Sequence, residues 1–475
     1  MKHIYIFISY GHDKYANYTR TLYEQLQQND ENFVIWWDDK LEISEDWIVE
    51  IERNLNNLIV NKSNSSFIYV ITPYSANIER DNFCIKEIVK ALGNNVRVIP
   101  VKLAEAPMPL LLGNIQWIDF SDISVNPENV EFTNRIQTLC EIIRNRKEPS
   151  NDGKQAMLMN KLEPCSFTLE LNKHLANYEP RQWLLNTVKD WIEGDGKKIF
   201  LLTGGPGTGK TAFSIWMSYS ELSQYVCAWH LCQYNNRKGT CDTMSAVKSM
   251  AYFLSTRIPA YYRNMDISEV DRVLQKAEFT AGILFKELIL VPLSRIENPG
   301  HTVVILIDAL DEATENNDND LAEIIHEYIN QLPQWLKFII TTRNDSSVMN
   351  FLRDCSYVIN LDGSSFVTNS CDDVSRYVNH MLENTPQYIQ KVVTESGSNF
   401  LYAQLLCNTI KQDPDYDLED LPSDINAYYY TYLRRYIANS EFRFDTHVYP
   451  LLKLILKSYE PIQKRALYER LHQTD

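Results

Sequence analysis

Hydrophobic residues in the first hundred positions alternate between short continuous runs and longer stretches with helical spacing. Four apolar runs of five to seven residues lie at 4–9, 33–37, 66–72 and 96–101. Continuous apolar runs of this length are typical of strands buried on both faces of a parallel sheet. Between them, apolar residues recur every three or four positions, as in Tyr18, Leu22 and Leu26, and this spacing predicts helices. The pattern predicts an α/β domain whose ligand site lies beyond the carboxyl ends of parallel strands.

The same alternation returns in the middle of the chain. Apolar runs lie at 199–203, 225–231, 303–307 and 338–342, with helical periodicity between them. This predicts a second α/β domain. Residues 374–382, 400–410 and 425–437 have helical patterns without intervening strands, which indicates a helical region after the second domain.

A polar, turn-rich stretch from Arg146 to Leu162, which includes the run from Lys147 to Gly153, separates the two α/β patterns and indicates a linker. The predicted domains are a first α/β domain at 1–146, a linker at 147–170, a second α/β domain at 171–360, a helical domain at 361–440 and the start of a further domain at 441–475. A chain of 475 residues is long enough for about three domains.

Composition narrows the class of protein. The formal net charge of −16 argues against a nucleic-acid-binding surface as the main activity. The nine cysteines form no C-x-x-C pair, which disfavours a zinc site and is typical of reduced thiols. No apolar run reaches 18 residues, and the amino terminus lacks the hydrophobic segment of a signal peptide. We therefore expect a cytoplasmic protein with no membrane span and no nucleic-acid partner.

A glycine-rich segment between a predicted strand and a predicted helix fits the pattern G-x-x-x-x-G-K-[ST] without a mismatch. It consists of Gly204, Gly205, Pro206, Gly207, Thr208, Gly209, Lys210 and Thr211. Glycines let backbone N–H groups converge on phosphate oxygens, while Lys210 would reach the β- and γ-phosphates and Thr211 would bind Mg²⁺. The alternative is an ordinary turn. However, four of the chain's 15 glycines fall within these eight positions, which favours a P-loop that binds ATP or ADP.

A second chemical motif follows the apolar run at 303–307. Asp308 ends this run, as in a Walker B motif, and would hold the Mg²⁺ ion. Asp311 and Glu312 come just beyond, where a carboxylate can orient the attacking water. Arg343 ends the last strand and is placed to sense the γ-phosphate. The alternative is an acidic loop after a core strand, but the P-loop upstream favours the nucleotide site.

Together these motifs resemble a NACHT-type NTPase of the STAND class over about residues 165–360. The most distinctive part is the stretch from Asp308 to Glu312, with a small residue after the first aspartate. The resemblance implies a P-loop NTPase followed by a helical lid and a partial winged-helix domain. Residues 397–403 resemble a recurring lid segment of these NTPases. No repeat of 20–50 residues follows, so we expect either that a sensor array lies beyond residue 475 or that sensing is done differently.

Three segments of the first domain resemble the three boxes of a TIR domain over about residues 1–125. They lie at 7–13, 37–47 and 75–87, in the order and spacing of that family. The resemblance implies a flavodoxin-like parallel sheet, and some members cleave NAD⁺ at the nicotinamide–ribose bond. Two residues depart from the family pattern: Phe83 stands where Trp is common, and Ser44 stands where Gly is often found.

The resemblance also implies site residues for NAD⁺. The family's catalytic glutamate, in a [WF]-C-x-x-E pattern, corresponds to Glu87, and Ser75 matches the polar residue at the rim. Ser9 and Tyr10, with the segment from Asp38 to Trp47, would line the pocket or, as in other family members, bind a partner TIR domain. One carboxylate is sufficient because it can stabilise the oxocarbenium charge on the ribose, and nicotinamide leaves without protonation. No carboxylate pair is apparent. On spacing alone, Glu87 would be a solvated residue on a helix surface.

The predicted function is an immune or antiphage type of switch, in which a NACHT module assembles and clusters NAD⁺-cleaving TIR domains. The ADP-bound form would be closed, the ATP-bound form would self-associate through its TIR and NACHT domains, and the trigger is unidentified. One alternative is a non-enzymatic adaptor that recruits other TIR proteins. Another is a housekeeping P-loop ATPase with the TIR part as a regulatory appendage.

Overall fold

The computed structural model describes most of the chain, in two compact units. The described residues are 3–38, 45–76, 83–106, 108–109, 112–113, 115–146, 153–167, 179–218, 220–233, 239–275, 280–314, 318–413, 416–417, 421–430, 449–450 and 452–453. The first unit comprises Met1–Gly204 and Lys210–Asn360, and the second comprises Gly205–Gly209 and Leu361–Asp475. The side chains of a few described residues, among them Trp47 and Phe83, lie outside the description.

The amino-terminal part of the first unit is built on a five-stranded parallel sheet. Its elements are β1 (Ile4–Ser9), α1 (Ala16–Asn29), β2 (Phe33–Trp37), α2 (Glu45–Val60), β3 (Ser65–Ile71), α3 (Phe83–Gly93), β4 (Val98–Lys102), β5 (Ile118–Asp119) and α4 (Val130–Asn145). The strand order is β2-β1-β3-β4-β5, and all pairs are parallel. This is the flavodoxin-like order, so the predicted fold of the first domain is confirmed.

The strands form because each apolar run has helices on both faces to cover it. Every residue of β3, the central strand, is buried. On one face, Leu22 and Leu26 of α1 join Phe132 and Ile136 of α4 in a single apolar cluster. The Asn129 side chain accepts hydrogen bonds from two N–H groups at the start of α4, which fixes the first turn of that helix.

A second five-stranded parallel sheet lies in the same unit. Its elements are α6 (Gln182–Glu193), β6 (Ile199–Thr203), α7 (Lys210–Met217), β7 (Val226–Leu231), α8 (Thr243–Arg257), α9 (Pro259–Asn264), α10 (Ile267–Leu274), α11 (Ala281–Phe285), α12 (Val291–Ser294), β8 (Val303–Asp308), α13 (Asp320–Tyr328), β9 (Leu336–Thr342), α14 (Ser346–Leu352) and β10 (Ser356–Asn360). The strand order is β10-β6-β9-β8-β7. The prediction of a second α/β domain is confirmed.

The segment predicted to be a linker contains a helix, α5 (Gly153–Leu162), packed on α8 and α10. Lys161 of α5 forms an ion pair with Asp271. Three residues beyond α5, the Cys165 N–H donates to the Ser249 hydroxyl (3.2 Å). The segment is polar, but Leu158 and Leu162 lie four residues apart and both are fully buried. These two leucines give the helix one apolar side that packs in the interior. The polar composition of the segment gave no indication of that side.

The second unit is helical in the residues described. It contains α15 (Val367–Met381), α16 (Ile389–Ser396) and α17 (Phe400–Gln412), which surround one apolar cluster. The predicted winged-helix region at 441–475 lies almost entirely outside the described residues. Across the part of the chain that the structure describes, no helix has both the length and the hydrophobicity needed to cross a membrane.

Candidate functional site

Glu87 lies on the buried face of α3. Cys84, Glu87, Ile88 and Ala91 are spaced at i, i+3, i+4 and i+7, and all four are buried. Residues at these spacings share one side of a helix. Glu87 is 8% exposed, so it is not a solvated residue on the helix surface. A buried carboxylate requires a partner because desolvation disfavours its charge.

The partner of Glu87 is Ser9, the last residue of β1. The Ser9 hydroxyl donates to Oε2 of Glu87 at 2.6 Å, and Ser9 itself is buried. Because Ser9 is at the carboxyl end of β1, a strand of a parallel sheet, this contact fixes the carboxylate at the carboxyl edge of the sheet. Ligands of open α/β sheets bind at that edge. The structure therefore brings together two of the residues predicted for the NAD⁺ pocket.

Burial raises the pKa of Glu87 from its ordinary value of 4.5 to about 7. The hydrogen bond from Ser9 lowers the pKa, and the negative charge of Asp38 raises it. Burial and the neighbouring Glu87 charge also raise the pKa of the Cys84 thiol, so this cysteine stays protonated at neutral pH. Near pH 7, Glu87 is thus close to the midpoint of its titration, where its charge responds most strongly to its surroundings.

This pKa predicts how stability depends on pH. Between pH 4.5 and about 7, the unfolded chain loses a proton that native Glu87 retains, so the free energy of unfolding falls as pH rises. Glu87→Gln keeps the side-chain shape and removes the charge. At about pH 8 we expect the variant to be more stable than wild type by up to about 3 kcal/mol, and at about pH 4 the two should be equal. Urea unfolding at both pH values measures this difference, and a gap independent of pH would contradict it.

The other residues predicted for this pocket have different environments. The Tyr10 hydroxyl donates to the backbone carbonyl of Asp38. The Ser75 hydroxyl donates to the Val70 carbonyl (2.7 Å) and accepts from the Thr72 N–H (2.8 Å), so it closes the turn after β3. A fully buried hydroxyl engaged in this way stabilises the turn. The side chain of Trp47, together with Ser44, lies outside the described residues.

Two further acidic residues lie at the same edge of the sheet. Asp38, directly after β2, is 8% exposed, and Nε2 of His12 is 3.4 Å from its Oδ2. Asp13 accepts hydrogen bonds from the Thr72 hydroxyl (2.8 Å) and from a backbone N–H. The segment from Asp38 to Trp47 is predicted to line the pocket, whereas Asp13 has no predicted role of its own. Asp13 lies in the loop after β1 and Asp38 directly follows β2, and a position beyond the ends of neighbouring parallel strands is the signal that could have identified both.

In the second sheet, β6 leads into the glycine-rich segment and α7 begins at Lys210, as the P-loop pattern predicts. Gly207 and Gly209 have φ values of +79° and +83°, which only glycine adopts readily. A Cβ on Gly207 would collide with the Asn399 side chain. These two glycines are therefore required by the backbone path of the loop and by the packing around it.

The loop glycines have hydrogen bonds within the second unit. The N–H groups of Phe400 and Leu401, at the start of α17, donate to the Gly207 carbonyl at 2.9 and 3.4 Å. The first N–H groups of a helix have no partner inside the helix, so this carbonyl satisfies two of them. Asp362 accepts a hydrogen bond from the Gly205 N–H at 2.6 Å. Within the same loop, the Thr208 hydroxyl donates to the Gly205 carbonyl.

The remaining residues predicted for the nucleotide site lie in the first unit. Lys210, which begins α7, donates from its ammonium group to the Gly204 carbonyl at 2.6 Å. Thr211 follows it in the first turn of α7. Asp308 ends β8, is 1% exposed, and accepts from the Thr341 hydroxyl at 2.6 Å. That hydroxyl also accepts from the N–H of Ala309, so the end of β9 holds the Asp308 carboxylate in place.

Arg343 is engaged with both acids beyond Asp308. Its backbone N–H donates to Oδ1 of Asp311 at 2.9 Å, and its Nε is 3.3 Å from Oδ2 of the same residue. Its terminal nitrogen is 3.8 Å from Glu312. The sequence motifs predict separate roles for Arg343, at the γ-phosphate, and for the two acids, which would orient the attacking water. The structure instead joins them in one charged cluster beside the end of β8.

Family models match both α/β regions. Residues 6–136 match the model described as "TIR domain", and residues 180–343 match the model described as "Nephrocystin 3, N-terminal", which is NACHT-like. The order of the two matches fits a TIR–NACHT architecture and confirms the predicted resemblance. A TIR domain joined to a NACHT-like P-loop module supports a signalling or immune-type protein.

Solved structures resemble the chain only at low overlap. NtrX from Brucella abortus in complex with ATP matches at 10% identity and a TM-score of 0.32, covering 100% of this chain and 99% of that chain. The ADP complex of NtrX matches at 10% identity and a TM-score of 0.30, covering 88% and 85%. EssC (ATPases 2 and 3) from Geobacillus thermodenitrificans matches at 12% identity and a TM-score of 0.21, covering 77% and 78%. TM-scores this low support no conclusion about the fold or the ligands of this chain.

Proposed function

We propose that this chain is a nucleotide-controlled immune-type signalling protein whose TIR domain cleaves NAD⁺ at the nicotinamide–ribose bond. One observation carries the proposal: a buried glutamate, Glu87, is held by Ser9 at the carboxyl edge of the TIR sheet. A carboxylate kept from water at a ligand-binding edge is costly to stability, and such groups concentrate at functional sites. A TIR surface that only binds other proteins does not require a buried carboxylate at this edge.

The chemistry requires Glu87 to be ionised. Departure of nicotinamide leaves positive charge on the ribose, and an adjacent carboxylate stabilises that charge most strongly in a site from which water is excluded. The Ser9 hydroxyl orients the carboxylate and still leaves its second oxygen for the ribose. Since burial raises the pKa of Glu87 to about 7, the rate should increase with pH through this region.

The glycine-rich segment after β6 and the residues at the ends of β8 and β9 have the chemistry needed to bind a nucleotide with Mg²⁺. The positive φ values of Gly207 and Gly209 are those of a loop that turns its N–H groups inward, and Lys210 begins the helix that follows. Thr211 and the buried Asp308 supply oxygen ligands of the kind that Mg²⁺ prefers. When bound, Mg²⁺ neutralises charge on the phosphates. Lys210 would bind the terminal phosphates, and Arg343 would exchange its contacts with Asp311 and Glu312 for the γ-phosphate.

In this proposal, ATP and ADP favour different states of the chain, and the ATP-bound state self-associates so that clustered TIR domains become active. A few kcal/mol of differential nucleotide affinity is enough to shift such an equilibrium. The double variant Asp311→Asn with Glu312→Gln removes the carboxylates that orient water and leaves Asp308 in place. Asparagine retains the oxygen that accepts the Arg343 N–H, so the backbone contact survives.

We expect this double variant to remain bound to ATP, to form larger species than wild type and to release more nicotinamide from NAD⁺ at equal protein concentration. Size-exclusion chromatography with light scattering, run beside a nicotinamide-release assay with ATP or ADP, measures both effects. Adding Glu87→Gln should abolish the release and leave the assembly unchanged. Assembly without any nicotinamide release from the parent protein would support the adaptor alternative. A monomeric double variant with ATP bound would contradict nucleotide control.

A further inference from the structure

The strand register places Asp38 beside the residue that holds Glu87. β1 and β2 are parallel, and Ile8 is paired with Trp37. Continued by one residue, this register brings Ser9, the last residue of β1, opposite Asp38, which directly follows β2. Neighbouring strands are about 4.8 Å apart. Ser9 thus has Asp38 on one side and donates its hydrogen bond to Glu87 on α3.

Asp38 is held in position by two aromatic residues of the loop after β1. The Tyr10 hydroxyl donates to its backbone carbonyl, and the His12 ring nitrogen is 3.4 Å from its carboxylate. The rings of Tyr10 and His12 are themselves in contact, with centroids 4.8 Å apart. The Asp38 side chain is only 10% exposed. These contacts fix a second buried carboxylate at the edge where Glu87 lies.

Several charged groups near α3, among the residues that the structure describes, have partners of their own. On α2, Glu52 pairs with Lys90 (3.9 Å) on an exposed surface. On β4, Lys102 lies between Glu105 (3.5 Å) and Asp119 (3.9 Å). The loop after β1 contributes Asp13, which is bonded to Thr72 and acts on the Cys84 thiol. β3 contributes no ionisable side chain other than the buried Tyr69, whose hydroxyl donates to the Ser75 carbonyl. Within the described part of the chain, Asp38 contributes a negative charge that raises the pKa of Glu87, in addition to the larger effect of burial.

We propose that Asp38 and Glu87 form a carboxylate pair across Ser9, in which Asp38 is a positioning residue that sets the charge of Glu87 and selects a cationic nicotinamide ring. The inference depends on the proposed NAD⁺ cleavage. Two like charges close together disfavour ionisation of the second, so Asp38 adds to the burial that keeps a fraction of Glu87 protonated near pH 7 without ligand. A pyridinium cation at this edge stabilises both carboxylates, and Glu87 then loses its proton to solvent as NAD⁺ binds. NADH has no cationic ring, so the carboxylate pair does not strengthen its binding.

The test uses the full chain with Asp38→Asn, and with Asp13→Asn as the matched control at the same edge. Removing the Asp38 charge should move the acid limb of the pH profile of kcat/KM to lower pH. It should also reduce the ratio of the affinity for NAD⁺ to the affinity for NADH. Asp13→Asn should leave the acid limb where wild type has it. A structural role for Asp38 would lower the rate at every pH and leave the limb in place, and that result would overturn the proposal.

A second readout does not need turnover. The difference in unfolding free energy between Glu87 and Glu87→Gln, measured against pH, reports the titration of Glu87 directly. In the D38N background this titration should lie at lower pH than in wild type. If the titration does not move, the carboxylate pair is refuted. If it moves while no variant or wild type releases nicotinamide, the pair exists and the proposed NAD⁺ cleavage is the part that fails.

Discussion

Glu87→Ala is expected to release nicotinamide from NAD⁺ at least about 100-fold more slowly than the wild-type chain when both are clustered. The alanine removes the buried carboxylate at the edge of the TIR sheet, and Ser9 loses the acceptor for its hydroxyl. Because Glu87 is buried, the variant also leaves a small cavity. Glu87→Gln is therefore the more informative change, since it keeps the volume and an oxygen that accepts from Ser9.

The measurement is nicotinamide release by clustered full-length protein, with thermal unfolding to verify the fold. Glu52→Gln is a matched control, because this exposed glutamate of α2 has only a weak ion pair with Lys90. It should retain wild-type turnover. If Glu87→Gln and Glu52→Gln behaved alike, Glu87 would not be the catalytic carboxylate, and the buried contact with Ser9 would have to be explained as structural.

The burial of Glu87 could have been read from the sequence. Cys84, Ile88 and Ala91 are small or apolar, and Glu87 falls at the helical spacing that places it on their side of α3. The residue type alone predicts the opposite, because most glutamates on helices are solvated. An acidic residue at an otherwise apolar helix position is the signal that indicates a buried, perturbed carboxylate.

Ser75 illustrates the opposite case. Its pattern placed it at the rim of the pocket, but the direction of a hydroxyl in a turn depends on backbone angles that no spacing rule supplies. The structure directs it to the carbonyl of Val70 and the N–H of Thr72. Likewise, the pairing of Ser9 with Asp38 depends on which strands are neighbours. The order β2-β1-β3 is a tertiary property, and the local pattern of a single strand does not contain it.

The second sheet was more predictable because its chemistry is local in sequence. The P-loop motif occupies eight consecutive residues, six of which join β6 to α7, and Asp308 ends an unbroken apolar strand. The contacts of Arg343 with Asp311 and Glu312 were not predictable, since β8 and β9 are brought together only by the strand order. The docking of α5 was missed for a related reason: two buried leucines carry too little signal in a polar segment.

Lys210→Ala should weaken the binding of ATP and ADP by about 10- to 100-fold, the effect of losing a hydrogen bond between an ammonium and a phosphate. In the structure, the Lys210 ammonium donates to the Gly204 carbonyl at 2.6 Å, at the start of the glycine-rich segment. Some affinity should remain, because the backbone N–H groups of the loop are unaffected by the change. Isothermal titration calorimetry with each nucleotide in the presence of Mg²⁺ measures the loss.

A charge-matched control separates phosphate binding from a general effect of net charge. Lys391 forms a partly exposed i,i+4 ion pair with Glu395 (3.1 Å), so Lys391→Ala removes the same charge at little cost to stability. It should bind both nucleotides as wild type does. Nucleotide control predicts a further consequence, since Lys210→Ala should neither assemble with ATP nor show raised NAD⁺ cleavage, although Glu87 is intact. If the variant kept wild-type nucleotide affinity, the P-loop assignment would be wrong. If it lost affinity and still assembled, the two domains would act independently.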